Sequence, residues 1–326
     1  QASKSRLIDR LNYYFDGKYI DLIDKRIFVV DSNITDNYFG LTLDNYNKLG
    51  KKIFSVIHCA ADVRHYGNYS SSEKINITAT KNIIQFCLDF NAVLNHISTM
   101  TVSGYGLVDV NYTGIYDEDK FYIGQNYADN IYVKTKFLAE EEIFKALNKG
   151  LLANIYRIGN LTNRFSDYKF QFNSYENGFI NKLKSIKHIR LLPESLKDYQ
   201  LELTPVDLCS EAIVKLAISY KKKYNVNVFH LYNNNYISMN MITNILTYYN
   251  LNVKFVPDDE FEKAVASSIV TSEESAGFIE QFNIKNVLGT NQFAFSNEKT
   301  LSILKSLDFG WKNITEDYLK FIIRGL

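Results

Sequence analysis

IFSVIHCAADVRHYGNYSSSEKINITATKNIIQFCLDFNAVLNHIST, residues 53–99, holds two short apolar runs with a helical pattern between them. The runs Ile53 to His58 and Val93 to Thr99 are rich in β-branched residues and predict buried strands. Between them, from Glu73 to Phe90, apolar and small residues recur at helical spacing, and the face they predict consists of Ile75, Thr78, Ala79, Ile83 and Phe86. Because a strand, a helix and a strand follow one another, the segment predicts two parallel strands joined by a crossover helix.

The same alternation extends in both directions from this segment. It predicts strands at Arg26 to Asp31 (RIFVVD), Leu152 to Ile158 and Val226 to Leu231, and helices at Leu43 to Lys51, Asp129 to Asn148 and Val206 to Lys221. We therefore predict an α/β fold with a Rossmann-type, doubly wound parallel sheet. The segments 163–204 and 238–326 have mixed polar, aromatic and amphipathic helical patterns and predict a smaller, mainly helical lobe.

Composition excludes several classes of protein. The 326 residues carry a net charge of +1, which gives no broad electrostatic footprint for nucleic acid or an anionic membrane. No apolar run approaches the roughly 20 residues that span a bilayer. Cys59, Cys87 and Cys209 are far apart, and no His or Cys spacing suggests a metal site. We expect a cytoplasmic protein with no metal.

The chemical signal is Tyr132-Val-Lys-Thr-Lys136 on the third predicted helix. Residues four apart lie on one helix face, so Tyr132 and Lys136 can flank one small molecule. A nearby ammonium lowers the pKa of a phenol from about 10 and favours proton donation to a carbonyl oxygen. This spacing also arises by chance in a sequence with 24 tyrosines, so it needs support from other elements.

That support comes from polar and small residues where three predicted strands end. They are Ser98, Thr99 and Thr101 at the end of one strand, Ala60, Ala61 and Asp62 after another, and Gly159, Asn160 and Thr162 after a third. Open α/β sheets bind ligands at the carboxyl ends of their strands. The sequence therefore predicts a ligand site at this edge of the sheet.

Together these phrases resemble the extended short-chain dehydrogenase/reductase superfamily. The resemblance is closest to the terminal thioester reductase (R) domains of nonribosomal peptide synthetases and to carboxylic acid reductases. It is carried by VIHCAADVRHYG (56–67), ISTMTVSGYG (97–106), IGQNYADNIYVKTKFLAE (123–140), YRIGNLTNR (156–164) and LELTPVDLCSEAIVKLA (201–217).

The resemblance implies roles for individual residues. Thr99, Tyr132 and Lys136 would be the catalytic triad, with Tyr132 as proton donor and Lys136 as its electrostatic partner and a ribose ligand. The further cofactor-binding residues would be Asp31 beside the adenine, Ala60, Ala61 and Asp62 along the pyrophosphate and ribose, and Gly159 and Asn160 near the nicotinamide. It implies a dinucleotide-binding core at 1–162 and 205–237, with a substrate lobe formed by the insertion 163–204 and by 238–326, the latter also docking the carrier.

One departure from the family pattern concerns the cofactor. No glycine-rich GxxGxxG turn, which binds pyrophosphate at a helix N-terminus, occurs in the sequence. We therefore expect the amino-terminal strand and glycine turn to be missing from this chain. The expectation of NADPH rather than NADH comes from the family alone.

The implied reaction is NAD(P)H-dependent reductive release of a peptidyl or acyl thioester from a phosphopantetheinyl carrier domain, as an aldehyde or further as an alcohol. One alternative is a freestanding fatty acyl or aminoadipate-type reductase, which shares the triad. Another is a non-catalytic dinucleotide-binding sensor, although both Tyr132 and Lys136 are present. An epimerase or dehydratase of the same superfamily fits the IGQNY and YRIGNLTNR phrases less well.

Overall fold

The structure is a computed structural model that describes residues 2–64, 68–104, 106–108, 112, 114–174, 177–219, 226–269 and 294–324. The helices in these ranges are α1 Ala2–Phe15, α2 Leu43–Gly50, α3 Tyr69–Glu73, α4 Ala79–Phe90, α5 Ile131–Ala146, α6 Gly178–Ile189, α7 Val206–Ser219, α8 Met239–Tyr248, α9 Asp258–Ile269, α10 Glu298–Ser306 and α11 Glu316–Arg324. The strands are β1 Ser55–His58, β2 Val93–Thr99, β3 Ile115–Tyr116, β4 Leu152–Ile158, β5 Leu161–Thr162, β6 Leu191–Pro193, β7 Gln200–Leu201, β8 Thr204–Pro205, β9 Val226–Leu231, β10 Ile237–Ser238, β11 Lys254–Val256 and β12 Ala294–Phe295.

The main sheet has four strands in the order β1-β2-β4-β9. Strands β1 and β2 run parallel, with Ser55 opposite Val93 and His58 opposite His96. The predicted strands at 93–99, 152–158 and 226–231 are confirmed, and the one predicted at 53–58 begins two residues later. The α/β class with a parallel sheet is therefore confirmed.

The strand predicted at Arg26 to Asp31 is wrong. Within this stretch only Ile27 takes part in β-structure, as one end of an isolated bridge with Ile23, and no strand is assigned at 28–31. Phe28 is 71% exposed and Val30 is 46% exposed. A β-branched run becomes a strand only where a neighbouring strand satisfies its backbone groups, and local propensity does not supply that neighbour.

The helix predicted at Glu73 to Phe90 is interrupted by a π-helical turn at Lys74–Thr78, between α3 and α4. A π turn adds a residue to the helical repeat and rotates the faces beyond it relative to those before it. Ala79, Ile83 and Phe86 are buried as predicted, whereas Thr78 is exposed. The buried positions of the turn are Asn76 and Ile77 instead.

The chain divides into two compact units. The first comprises the described residues of 1–96, 130–154 and 224–226, in which α3, the π turn, α4 and α5 pack together beside β1. The second comprises those of 97–129, 155–223 and 227–326. The segments predicted to build the smaller lobe share one hydrophobic core in this second unit, since Leu183 and Leu192 pack in the same cluster as Leu246 and Leu319. The boundaries at 162, 204 and 237 stay predictions.

None of the helices in the described ranges is both long and apolar enough to cross a bilayer.

Candidate active site

Helix α5 carries the tyrosine and lysine that the sequence singles out. Asn130 caps the helix, and its side chain accepts a hydrogen bond from the Val133 N–H at 3.2 Å. This cap fixes where the helix starts, so that Tyr132 lies in its first turn and Lys136 one turn later. Tyr132 is half-buried, whereas Lys136 is only 3% exposed.

The amine of Lys136 lies in a buried polar cluster of the first unit. Its Nζ is 3.3 Å from Nε2 of His96 on β2. Burial lowers the pKa of Lys136 to about 8, while electrostatic interaction with Glu140, and then with Cys59, acts in the opposite direction. A lysine in such surroundings is charged at neutral pH and close enough to its pKa to release a proton.

The third residue of the predicted triad, Thr99, is the last residue of β2 and is 7% exposed. Its hydroxyl accepts a hydrogen bond from the Thr101 N–H at 3.2 Å and lies 3.0 Å from the Thr101 hydroxyl. Thr99 belongs to the second unit, whereas Tyr132 and Lys136 belong to the first. Its grouping with them stays a prediction.

The segment after β1 has two kinds of residue. Three small residues follow β1. Cys59 and Ala60 are exposed, and Ala61 is half-buried. Asp62 is buried, and its carboxylate accepts two hydrogen bonds from the Arg64 guanidinium, each 2.8 Å, and one from the Ser72 hydroxyl, also 2.8 Å. These donors lower the pKa of Asp62 to about 2, with Arg64 the largest contributor. These hydrogen bonds hold the Asp62 side chain in place and thereby fix the loop after β1.

Asn76, which the sequence did not single out as a site residue, ties this loop to α5. Its side chain accepts from the Asp62 N–H at 2.7 Å, and its amide nitrogen lies 2.9 Å from the Asp62 carbonyl and 2.8 Å from the Thr135 hydroxyl. Asn76 lies in the π turn, a feature that is frequent at functional sites. In the sequence, position 76 shows only a polar amide between Ile75 and Ile77, and the stretch Asn76 to Thr80 also resembles the reductase family.

Gly159 and Asn160 follow β4 in the second unit, against the carboxylate of Glu202. Oε2 of Glu202 accepts from the Asn160 N–H at 2.6 Å, and its Oε1 accepts from the Thr204 hydroxyl. A Cβ on Gly159 would lie 2.5 Å from Oε2 of Glu202 and 2.7 Å from Cβ of Tyr232, so glycine is required for this close approach. Burial raises the pKa of Glu202 to about 7. Glu202 is a residue that the sequence analysis missed.

Asp31 is exposed, and a hydrogen bond with the Ser3 side chain lowers the pKa of its carboxyl. Of the predicted site residues, the first unit thus contains Asp31, Ala60, Ala61, Asp62, Tyr132 and Lys136, and the second contains Thr99, Gly159 and Asn160. Their roles in binding a cofactor stay predictions.

Comparison with known proteins places these features in context. The chain is similar to a thiolation-reductase di-domain from an archaeal nonribosomal peptide synthetase, with 32% identity, a TM-score of 0.83 and coverage of 98% of this chain and 66% of that one. It also matches the terminal R domain of the myxalamid PKS-NRPS pathway, with 21% identity, a TM-score of 0.83 and coverage of 98% and 79%. The latter likeness concerns the fold.

Among curated proteins, the glycine betaine reductase ATRR of Emericella nidulans is 25% identical over 218 residues, which is 66% of this chain and 16% of that protein. The chain thus spans about a sixth of the length of this relative. Residues 1–213 match the family described as Male sterility protein, which is an NAD-binding family. Because this match covers well over half of the sequence, the chain belongs to the NAD-binding Male sterility protein family.

Proposed function

We propose that this chain is an NADPH-dependent reductase that releases an acyl or peptidyl thioester from a phosphopantetheinyl carrier domain as an aldehyde. The observation that carries the proposal is the buried Lys136 amine one helical turn after Tyr132 on α5. It is supported by the similarity, at 32% identity, to a thiolation-reductase di-domain.

The residues around Lys136 fit a nicotinamide dinucleotide. Cys59, which affects the pKa of Lys136, is followed directly by the small side chains of Ala60 and Ala61 after β1. Small side chains let a cofactor approach the backbone, and an ammonium can donate to ribose hydroxyls. Ala60, Ala61, Tyr132 and Lys136 would hold the cofactor, which supplies the hydride for the thioester carbonyl carbon when it is bound.

The chain's own part in the reaction is to stabilise and protonate the carbonyl oxygen. Tyr132 donates its phenolic proton to that oxygen, and the Lys136 ammonium favours the phenolate left behind. Thr99 is proposed to donate a hydrogen bond to the same oxygen. The resulting hemithioacetal then breaks its carbon–sulfur bond, which gives the aldehyde and the free pantetheine thiol.

The test is single-turnover oxidation of NADPH, compared with NADH, by the purified protein with a panel of acyl and aminoacyl pantetheine thioesters. We expect NADPH to be oxidised, an aldehyde to be trapped as its oxime, and Tyr132→Phe to lower the rate by about 100-fold or more, the usual contribution of general acid catalysis. The control is Tyr248→Phe, which removes the hydroxyl of a 70% exposed tyrosine and should leave the rate unchanged.

Cofactor binding without oxidation across the panel would contradict the proposed reaction on free pantetheine thioesters. The same acyl groups loaded on a carrier domain then distinguish the two remaining hypotheses. NADPH oxidation with the carrier-bound thioesters alone supports an obligatory carrier partner, and no oxidation with either kind of thioester supports the non-catalytic sensor.

A further inference from the structure

Two histidines lie side by side beneath the Lys136 amine. His58 and His96 occupy paired positions on the parallel strands β1 and β2, so their side chains project from the same face of the sheet. They are 4% and 1% exposed, and their ring centroids are 5.3 Å apart. Nε2 of His96 lies 3.3 Å from Nζ of Lys136.

The neighbouring groups determine where the ring protons lie. The Thr80 hydroxyl donates to the Asn76 carbonyl at 2.6 Å, so it can only accept from Nε2 of His58, which is 3.2 Å away. An ammonium has three donors and no acceptor, so Nε2 of His96 accepts from Lys136 and the ring proton lies on Nδ1. Burial lowers the pKa of His58 to about 4 and that of His96 well below its usual 6.5, so both rings are neutral.

A histidine at position 96 is energetically unfavourable in one respect, because one of its ring nitrogens lacks a hydrogen-bond partner in the described part of the chain. Nδ1 of His96 has no hydrogen-bond partner among the described residues. A buried donor without a partner is unfavourable, and an apolar side chain at this position would avoid it. The imidazole offers something that an apolar residue cannot, namely an acceptor at Nε2 for the lysine.

We propose that His96 is a positioning residue for Lys136: its Nε2 accepts a hydrogen bond from the ammonium and holds the amine, at the end of four rotatable bonds, on one face of α5. His58 supports the ring of His96 from the adjacent strand. The catalytic consequence rests on the proposed function, whereas the hydrogen bond and its effect on Lys136 do not.

The effect on the charge of Lys136 has a definite sign. The titratable groups around the amine are Glu140 on its own helix, Cys59 after β1, His58 on β1 and His96 on β2. A neutral acceptor stabilises the ammonium relative to the amine. Removing that acceptor must therefore lower the pKa of Lys136 below its value of about 8.

The first test needs no enzymatic activity. The full chain, labelled with ¹³C at lysine Cε, is titrated by NMR, and the Lys136 resonance is assigned with Lys136→Arg. We expect a midpoint of about 8 in the wild type and of roughly one unit lower in His96→Leu, as expected for losing one hydrogen bond to a charged group. His96→Gln places an amide oxygen near the position of Nε2 and should restore the wild-type midpoint. The matched control is His188→Gln, at an exposed histidine.

Should His96→Leu fail to fold, His96→Phe keeps a planar ring without an acceptor and serves in its place. An unchanged midpoint in the variant without an acceptor overturns the proposal. A Gln variant that titrates like the Leu variant overturns it as well, because packing and not the acceptor would then be responsible.

The second test follows thioester reduction as a function of pH. With a midpoint one unit lower, the ammonium form of His96→Leu falls about fivefold at pH 8 and hardly changes at pH 6, so its loss of rate should grow with pH in that proportion. A loss that is equal at both pH values contradicts the proposal. If the wild type itself reduces no thioester, the proposed function fails, while the NMR titration still decides the role of His96.

Discussion

At the scale of single residues, Glu202 shows how a half-buried carboxyl couples stability to pH. Its pKa is raised by burial from 4.5 to about 7. In the unfolded chain it titrates near its ordinary value, so between these pH values the native state holds a proton that the unfolded state has lost. The free energy of unfolding must therefore fall as pH rises through this window, by about 3 kcal/mol in all.

We predict that Glu202→Gln removes this pH dependence. Glutamine keeps an acceptor for the Asn160 N–H but has no proton to lose. Urea unfolding at pH 5 and at pH 8 should show a smaller difference in the free energy of unfolding for the variant than for the wild type, and the variant should be the more stable protein at pH 8. The exposed Glu194→Gln is the control and should follow the wild type. A Glu202→Gln protein with the wild-type pH dependence would contradict a carboxyl whose pKa is raised in the native state.

The sequence identified some site residues and missed others for a physical reason. Tyr132 and Lys136 were found because their chemistry depends on local helical spacing. Glu202 and His96 were not, because their roles come from contacts with Asn160 and Lys136, which are 42 and 40 positions away in the chain. A one-dimensional pattern does not contain such pairings.

At the scale of elements, the π turn at Lys74–Thr78 decides which side chains reach the interior. The regular helical period placed Thr78 on the buried face, and the structure places Asn76 there instead. Hydrophobic periodicity identifies a helix but assumes a constant number of residues per turn. A single inserted residue therefore makes the predicted buried face wrong beyond that point. Strands β2, β4 and β9 were predicted with their observed bounds because apolar β-branched runs there meet neighbouring strands.

We predict that Asn76→Ala destabilises the protein by about 2 to 3 kcal/mol, since it leaves the buried Asp62 N–H and carbonyl and the Thr135 hydroxyl without this partner. Thr78→Ala, two residues further along, should change the free energy of unfolding by less than about 0.5 kcal/mol because the side chain is exposed. Urea unfolding of both variants measures the difference. A larger loss from Thr78→Ala would mean that the helix keeps the regular register.

At the scale of the whole molecule, polar residues buried in the sheet join segments that are distant in sequence. In the first unit, the Asn154 amide donates to Asn95 Oδ1 at 2.9 Å, which links β4 to β2. In the second unit, Arg157 on β4 is fully buried; its Nη1 donates to the Lys120 carbonyl at 2.8 Å and lies 3.2 Å from Nε2 of His230 on β9. The sequence predicted the sheet from its apolar residues, and these polar contacts lie outside what such a pattern encodes.

The Arg157 guanidinium lies next to two ring side chains of the second unit, Tyr116 and His230. The group lies 5.2 Å from the Tyr116 ring centroid, and the ring of His230 stacks on Tyr116 at 5.8 Å. Nδ1 of His230 lies 2.7 Å from the Ser296 carbonyl and donates to it, so Nε2 is left to accept from Arg157. Burial and the adjacent Arg157 charge lower the pKa of His230 to about 3, which keeps this acceptor neutral and available.

We predict that Arg157→Met destabilises the protein by about 3 kcal/mol, because it leaves Nε2 of His230 buried without this donor and removes the hydrogen bond to the Lys120 carbonyl. The same change should loosen the segment that contains Lys120, so that trypsin cuts after Lys120 at least about tenfold faster under native conditions, where cleavage follows local opening. Mass spectrometry of the early fragments measures this rate. Lys184→Met, at an exposed position on α6, is the control and should alter neither quantity. If Arg157→Met lowered global stability while cleavage after Lys120 stayed at the wild-type rate, the guanidinium would contribute to packing in the sheet without holding this loop.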